Sequence, residues 1–394
     1  MDVHHALPLL AGLSPAQFMR RHWQKKPLLV RGAIPGLKPL LSRADLVALA
    51  ASDDVESRLI VKKGDNWLMK SGPFAKRSLP PFSQPCWTLL VQGVDGHHAV
   101  VYQLLQQFRF VPDARLDDVM ISLASPGGGV GPHFDNYDVF LLQASGRRRW
   151  KISRQKDLTL QEGVPLKILQ NFEPDEEFVL DAGDMLYLPP RYAHDGVAEP
   201  FAGADGKAQD CMTYSIGFKA PSRSGLASEL LHRLADFGED DAQNSKPRTA
   251  KRMYSDPKQD ATPNPAALPT GLIDFAKDAV LAALKDPLAI ACALGEAMTE
   301  LKAQVWFDEP SKSEDFSRTV CGLQLDAKTR MLYDDHHLFI NGESYRAQGA
   351  DARLMRTLAD ERVLTRQALI KASAEAKALL SDWHAAGWLH RLES

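Results

Sequence analysis

A His-x-Asp pair, His133 and Asp135, closes the glycine-rich segment Pro126-Gly127-Gly128-Gly129-Val130-Gly131-Pro132, and Tyr137 follows two residues later. A second histidine, His194, comes just after the run Ala182-Gly183-Asp184-Met185-Leu186-Tyr187-Leu188-Pro189-Pro190. Two imidazoles and one carboxylate on one point make the facial ligand set of non-haem iron(II) oxygenases, which leaves positions on the metal open for other ligands. The dipeptide spacing alone is common by chance, and its context carries the weight. In a strand, side chains at i, i+2 and i+4 share a face, roughly 6–7 Å apart. His133, Asp135 and Tyr137 are therefore expected to point one way. The second run reads as turn, strand and proline stop, which places His194 just beyond a strand, at the mouth of a barrel.

Three further runs face the same chemistry. In Gly146-Arg147-Arg148-Arg149-Trp150, alternation turns Arg148 one way and Arg147 and Arg149 the other, so only one face can supply a buried cation. In Asp117–Ala124, the residues Asp118, Met120 and Ser122 share a face. A carboxylate on an inward face is costly unless paired, so Asp118 either meets an internal cation or waits for a cationic substrate, with Asp117 its solvated neighbour. In the last strand, Thr213, Ser215 and Gly217 make a small polar face suited to line a site.

These side chains need a framework of strands. From about residue 117 to 220, runs of four to eight residues (DDVMISLA, YDVFLLQ, RRRWKIS, EFVL, DMLYL, CMTYSIGF) alternate with glycine, proline and acidic turns, the texture of an antiparallel sandwich or barrel. The first 95 or so residues read as short helices with irregular connections; Ser14-Pro15-Ala16-Gln17 and Ser42 with Asp45 have the form of helix starts. A polar, proline-bearing connector covers about 238–269. Helical periodicity follows over about 272–305, broken at Asp286-Pro287. Beyond about residue 316, two strand-like runs end at Asn341-Gly342 and precede two helices, the second from near Thr365 to near Gly387, a pattern often found in winged helices. The 394 residues carry 47 Lys and Arg against 50 Asp and Glu, a net charge of -3, so the chain has no general electrostatic case for coating nucleic acid or an anionic membrane. The opening residues Met1-Asp2-Val3-His4-His5 do not have the pattern of a signal peptide, and no apolar run of about 18 residues occurs in the sequence. The expected location is the cytoplasm, with four widely spaced cysteines as reduced, packed thiols.

The stretch from about Asp117 to Pro221 resembles the JmjC-type members of the cupin superfamily, in particular the bacterial ribosomal oxygenases that hydroxylate an arginine of large-subunit ribosomal protein 16. RHWQKKPLLVRG, DDVMISLASPGGGVGPHFDNYDVFLLQASGRRRWKI, MYSDP and FINGE carry the resemblance across nearly the whole chain. It implies an α+β protein: a double-stranded β-helix core with a helical dimerisation region and a C-terminal winged-helix module. The expected divisions are 1–95, an N-terminal mixed helical region packed on the core; 96–222, the catalytic domain; 223–305, connector and dimerisation helices; and 306–394, the winged helix. It implies iron(II), 2-oxoglutarate as cosubstrate and dioxygen, with His133, Asp135 and His194 as metal ligands. The family's basic residue two positions after the glycine selects Arg148 for the distal carboxylate of 2-oxoglutarate, with Ser122 beside it. Asp118, Met120, Tyr137 and Ser215 are the expected substrate contacts, Asp118 meeting the guanidinium.

The implied substrate is large-subunit ribosomal protein 16, and the implied assembly is a homodimer. Acidic residues spread among the basic ones of the last module, with no basic stripe, argue for protein contact and against direct nucleic-acid binding. A histidyl hydroxylase and a catalytically silent ribosome-binding protein are the alternatives. The acidic Asp118 favours arginine over neutral imidazole, and an intact ligand set with Arg148 speaks against silence. The stretch AEPFAGADGKAQD after His194 is longer than the family suggests, and is expected near the mouth.

Overall fold

Ser14 and Ser42 each accept from the N–H three residues on, and Gln17 and Asp45 return the bond, so the first two helices, α1 (Pro15–Arg21) and α2 (Arg43–Leu49), start at capping boxes as the sequence leads one to expect. The computed structural model describes residues 2–203, 206, 208–244, 253–255, 266, 268–308 and 321–392. It divides into two units, Met1–Ala220 with Ala303–Trp306, and Pro221–Lys302 with Phe307–Ser394. None of its described helices is long and apolar enough to cross a membrane.

The first unit contains β1 (Leu28–Val30), β2 (Ser57–Lys63), β3 (Asn66–Ser71), β4 (Trp87–Val91), α3 (Ala99–Gln106), β5 (Leu116–Ala124), β6 (Tyr137–Ser145), β7 (Arg147–Ser153), β8 (Glu176–Leu180), β9 (Met185–Leu188), β10 (Ala193–Glu199) and β11 (Cys211–Lys219). One antiparallel sheet runs β1-β9-β6-β11-β5-β4-β2-β3 and a smaller one β10-β7-β8. The N-terminal residues thus give four strands to the large sheet as well as helices. Two of these strands give no periodic signal, because β1 has three residues and β4 is buried throughout, so neither shows an alternation.

The large sheet has two apolar faces. Val119, Ile121, Leu123, Phe140, Tyr214 and Phe218 pack with Phe18, Leu46 and Leu105 of the N-terminal helices. On the other face Leu141, Leu186 and Leu188 meet Trp150, Ile152 and Leu180 of the small sheet. Each such side chain contributes about 1.5–3 kcal/mol when fully buried, and the site lies between the two sheets. The register defines its ends. Leu116, Tyr137 and Lys219 lie at one end of the large sheet; Ala124, Ser145 and Cys211 lie at the other. Ala198 of the small sheet packs with Ala124 and Cys211, so the Arg147–Glu199 end of β7 and β10 belongs to that second end. The stretch after His194 leaves β10 at Glu199 and enters β11 at Cys211, both at this second end. The expectation that it borders the mouth is corrected by this pairing.

In the second unit, α4 (Arg223–Asn244), α5 (Thr270–Ala283) and α6 (Pro287–Thr299) precede β12 (Gly322–Leu325), β13 (Met331–Tyr333), β14 (Leu338–Ile340), β15 (Glu343–Tyr345), α7 (Gly349–Glu361), β16 (Val363–Thr365), α8 (Arg366–Ile370), α9 (Ala374–Ala385) and β17 (Leu389–Leu392). Asp286 caps α6, its carboxylate accepting from Leu288 N–H, so the Asp286-Pro287 break is where the sequence puts it. The expected connector begins as helix, since α4 reaches Asn244, and most of the rest lies outside the described residues. The two expected strand runs are three, and Asn341-Gly342 turns β14 into β15. The helix expected from Thr365 to Gly387 is two, because Ser373 caps a fresh start at Ala374, its hydroxyl accepting from Ala376 N–H. Two three-stranded sheets, β16-β12-β17 and β13-β14-β15, enclose a core with Leu358, Leu380 and Trp383.

Candidate metal and cosubstrate site

The glycine-rich segment runs antiparallel beside β10. Gly127 N–H donates to Ala198 O at 2.8 Å, Ala198 N–H to Gly128 O at 2.8 Å, and His133 and His194 exchange both backbone hydrogen bonds at 2.9 and 2.8 Å. Directly paired residues put their side chains on one face, and the two imidazole centroids are 4.2 Å apart. Glycine is needed for this approach: a Cβ on Gly128 would lie 2.3 Å from Trp87 O, and one on Gly129 2.6 Å from Gly196 O. Asp135 comes from the turn into β6, where its carbonyl accepts from Arg191 N–H at 2.6 Å. Its Oδ2 lies 3.9 Å from His133 Nε2 and 3.7 Å from His194 Nε2. The ligand atoms of all three residues fall within 4.8 Å of one another, in a cluster identified among the described residues.

The reason for this convergence differs from the expected one. His133 and Asp135 precede β6, so period-two alternation along one strand does not align them with Tyr137; cross-strand pairing of His133 with His194 does. His194 follows β9, as expected, but stands on a further strand, β10. That strand, AHDGVAE, is poor in β-formers and hard to read from sequence. Each imidazole Nδ1 contacts a carbonyl, His133 on Gly131 O at 2.8 Å and His194 on Tyr192 O at 2.9 Å. A carbonyl only accepts, so Nδ1 carries the proton and Nε2 presents its lone pair. Burial, then the neighbouring His133, holds His194 well below the ordinary histidine range, which keeps the ring neutral and fit to bind a metal.

Arg148 takes the inward face of β7, and its neighbours take the outer one. Arg147 pairs with Asp181 at 2.7 Å, and Arg149 pairs with Glu177 and, at 2.5 Å, with Glu199. Arg148 is 4% exposed, and its Nε and Nη2 have no hydrogen-bond partner among the described residues. Buried guanidinium donors left unmatched are costly, so these fit a carboxylate. Across the barrel, Ser122 is in register with Thr213, and Thr213 with Gln143. Ser122 Oγ donates to Thr213 O at 3.4 Å and Thr213 Oγ1 to Gln143 Oε1 at 2.8 Å, a polar belt in which Gln143 had no sequence signal.

Asp118 is 7% exposed, and its Oδ2 accepts from Gly93 N–H at 3.1 Å. Asp117, expected to be solvated, instead has a largely buried side chain 3.5 Å from Lys219. Met120 is in register with Ser215, and Tyr137 is 40% exposed at the open end. The next residue, Asp138, faces the opposite side and accepts from Tyr187 Oη at 2.7 Å, Gln24 Nε2 at 2.9 Å and Arg115 at 3.1 Å, a network that fixes the phase of β6.

Comparison with known proteins agrees with this geometry. A JmjC domain matches residues 103–226, and a ROXA-like winged helix matches residues 282–390. The ribosomal protein uL16 3-hydroxylase of Escherichia coli is 34% identical over 273 residues, which cover 68% of this chain and 67% of that one. A probable ribosomal oxygenase of Haemophilus influenzae is 36% identical over 234 residues, 57% of this chain and 55% of that one. The crystal structure of E. coli YcfD aligns with a TM-score of 0.80 at 28% identity, covering 96% of this chain and 98% of that one. The same ribosomal oxygenase in complex with cobalt and 2-oxoglutarate aligns with a TM-score of 0.76 at 27% identity, covering 95% and 97%. The ligand cluster between two sheets, the JmjC and winged-helix matches around and beyond it, and the similarity to the E. coli 3-hydroxylase place this chain in one family: it belongs to the bacterial JmjC ribosomal oxygenases.

Proposed function

We propose that this chain is an iron(II)- and 2-oxoglutarate-dependent oxygenase that hydroxylates an arginine side-chain carbon of ribosomal protein uL16. The observation that carries the reading is the pairing, in one barrel, of a facial His133–Asp135–His194 cluster with a buried guanidinium whose Nε and Nη2 lack a hydrogen-bond partner among the described residues. His133, Asp135 and His194 hold the metal, and Arg148 with Ser122 holds the far carboxylate of 2-oxoglutarate. When bound, iron and 2-oxoglutarate supply the dioxygen activation that C–H hydroxylation requires. The E. coli relative is named for 3-hydroxylation of uL16, and its structure holds cobalt and 2-oxoglutarate.

The protein's task is to orient the substrate. Asp118 receives the guanidinium while Met120, Tyr137 and Ser215 line the path of the aliphatic stem, so a methylene carbon faces the metal. Gly93 N–H anchors the Asp118 carboxylate, which makes it a fixed acceptor rather than a mobile one. The exposed apolar residues of α5, including Leu272, Ile273, Val280 and Leu281, form the homodimer contact. Asp118→Asn tests the substrate assignment. Loss of one charge-assisted hydrogen bond, roughly 1.5–3 kcal/mol, weakens hydroxylation of an arginine-bearing uL16 peptide by about one to two orders of magnitude, while 2-oxoglutarate turnover without peptide persists. Normal peptide hydroxylation by the variant would overturn the assignment.

A further inference from the structure

Trp150 lies two residues after Arg148 on β7 and so shares its inward face. The side chain is 5% exposed, and its indole N–H finds no hydrogen-bond partner among the described residues. Buried donors without acceptors are rare in folded proteins, and one beside a site calls for an acceptor that comes from outside the chain. The neighbours define where that acceptor belongs. Arg148 Cζ lies 5.7 Å from the indole, and the His194 ring lies 5.8 Å from it on the metal-ligand side. Trp150 therefore occupies the stretch of wall between the cation for one carboxylate and the metal ligands for the other. A two-residue step along a strand, roughly 6–7 Å, matches the length of a five-carbon diacid.

The indole is also held in place. A Cβ on Gly196 would lie 2.5–2.7 Å from Cζ3, Cη2 and Cε3 of Trp150, so β10 leaves room there for the ring and for nothing larger than hydrogen. This pins an aromatic N–H donor that no hydrophobic role requires; phenylalanine or leucine would pack there without an unmet hydrogen bond.

We infer that Trp150 is a cosubstrate-binding residue, its indole N–H donating to the bound 2-oxoglutarate alongside Arg148. The inference rests on the cosubstrate reading above and adds to it a second donor, neutral and directional, on the same strand face. Trp150→Phe keeps the ring and removes the N–H. In the full-length, zinc-loaded protein, 2-oxoglutarate is expected to move one of the seven tryptophan indole 1H–15N cross-peaks downfield, and that peak is the one absent from Trp150→Phe. The variant should bind 2-oxoglutarate roughly three- to tenfold more weakly, the range for one neutral hydrogen bond, with zinc affinity unchanged. Gly196→Ala, whose methyl presses on the ring, should shift the same peak in the absence of ligand and weaken 2-oxoglutarate binding. A Trp150 cross-peak that stays in place on saturation, with wild-type affinity in Trp150→Phe, would overturn the inference and assign the N–H to a buried water. Undiminished 2-oxoglutarate binding by Arg148→Ala would instead overturn the cosubstrate reading.

Discussion

Arg147, Arg148 and Arg149 are chemically identical, and the strand beneath them gives them different tasks. Two meet carboxylates at the surface, and the middle one is buried with Nε and Nη2 unmatched. Arg148→Ala should raise the 2-oxoglutarate requirement by about tenfold to a hundredfold, the worth of one charged hydrogen bond or slightly more. Arg147→Ala removes an exposed ion pair of little energetic value and should change it less than about twofold. Titration of 2-oxoglutarate into both variants reads the difference, and equal losses would contradict the assigned strand phase. This phase was legible because alternation needs only a continuous strand. Asp118, Met120 and Ser122 were legible on one face for the same reason. Trp150 falls on the inward face by the same alternation, but a buried indole looks like core, and only a missing acceptor marks it as more. Asp117 was misread because its partner, Lys219, is distant in sequence.

The site depends on an element that secondary-structure patterns describe poorly. The Gly127–His133 segment is too irregular to count as a strand, yet its pairing with β10 brings His133 and His194 together. Sequence reading named the three side chains that the structure brings together and gave strand alternation as the reason, whereas the structure uses a cross-strand pair. The closely packed glycines make this testable. Gly129→Ala would place a methyl against Gly196 O, forcing the segment away from β10. The expected cost is about 1–3 kcal/mol of stability, as for other overpacked positions, together with weaker metal binding, because the two histidines separate. Thermal unfolding and a cobalt titration of the same sample measure both, and wild-type cobalt affinity in the variant would show that the backbone pairing does not set the ligand geometry. The connection from Glu199 to Cys211 illustrates the converse: length and composition were visible in the sequence, but which end of the barrel it caps depends on the β10–β7 and β11–β5 registers.

At the scale of the whole molecule, the chain combines the JmjC core with helices and a winged helix, the plan its relatives share. The strand-rich centre and the last module were legible from texture, but near the start of the chain β1 was too short and β4 too uniformly buried to show a period. The apolar face of α5 predicts a dimer in solution. Light scattering should give twice the chain mass for the wild type and the chain mass for Val280→Asp/Leu281→Asp; a wild-type monomer would contradict the dimer. The most direct test of the central claim is tandem mass spectrometry of uL16 from cells with and without this gene. We expect one added oxygen on an arginine side-chain carbon of uL16 when the gene is present, and none when it is deleted or carries Asp135→Ala. Identical uL16 from both cells, or the oxygen on a histidine instead, would contradict the proposed function.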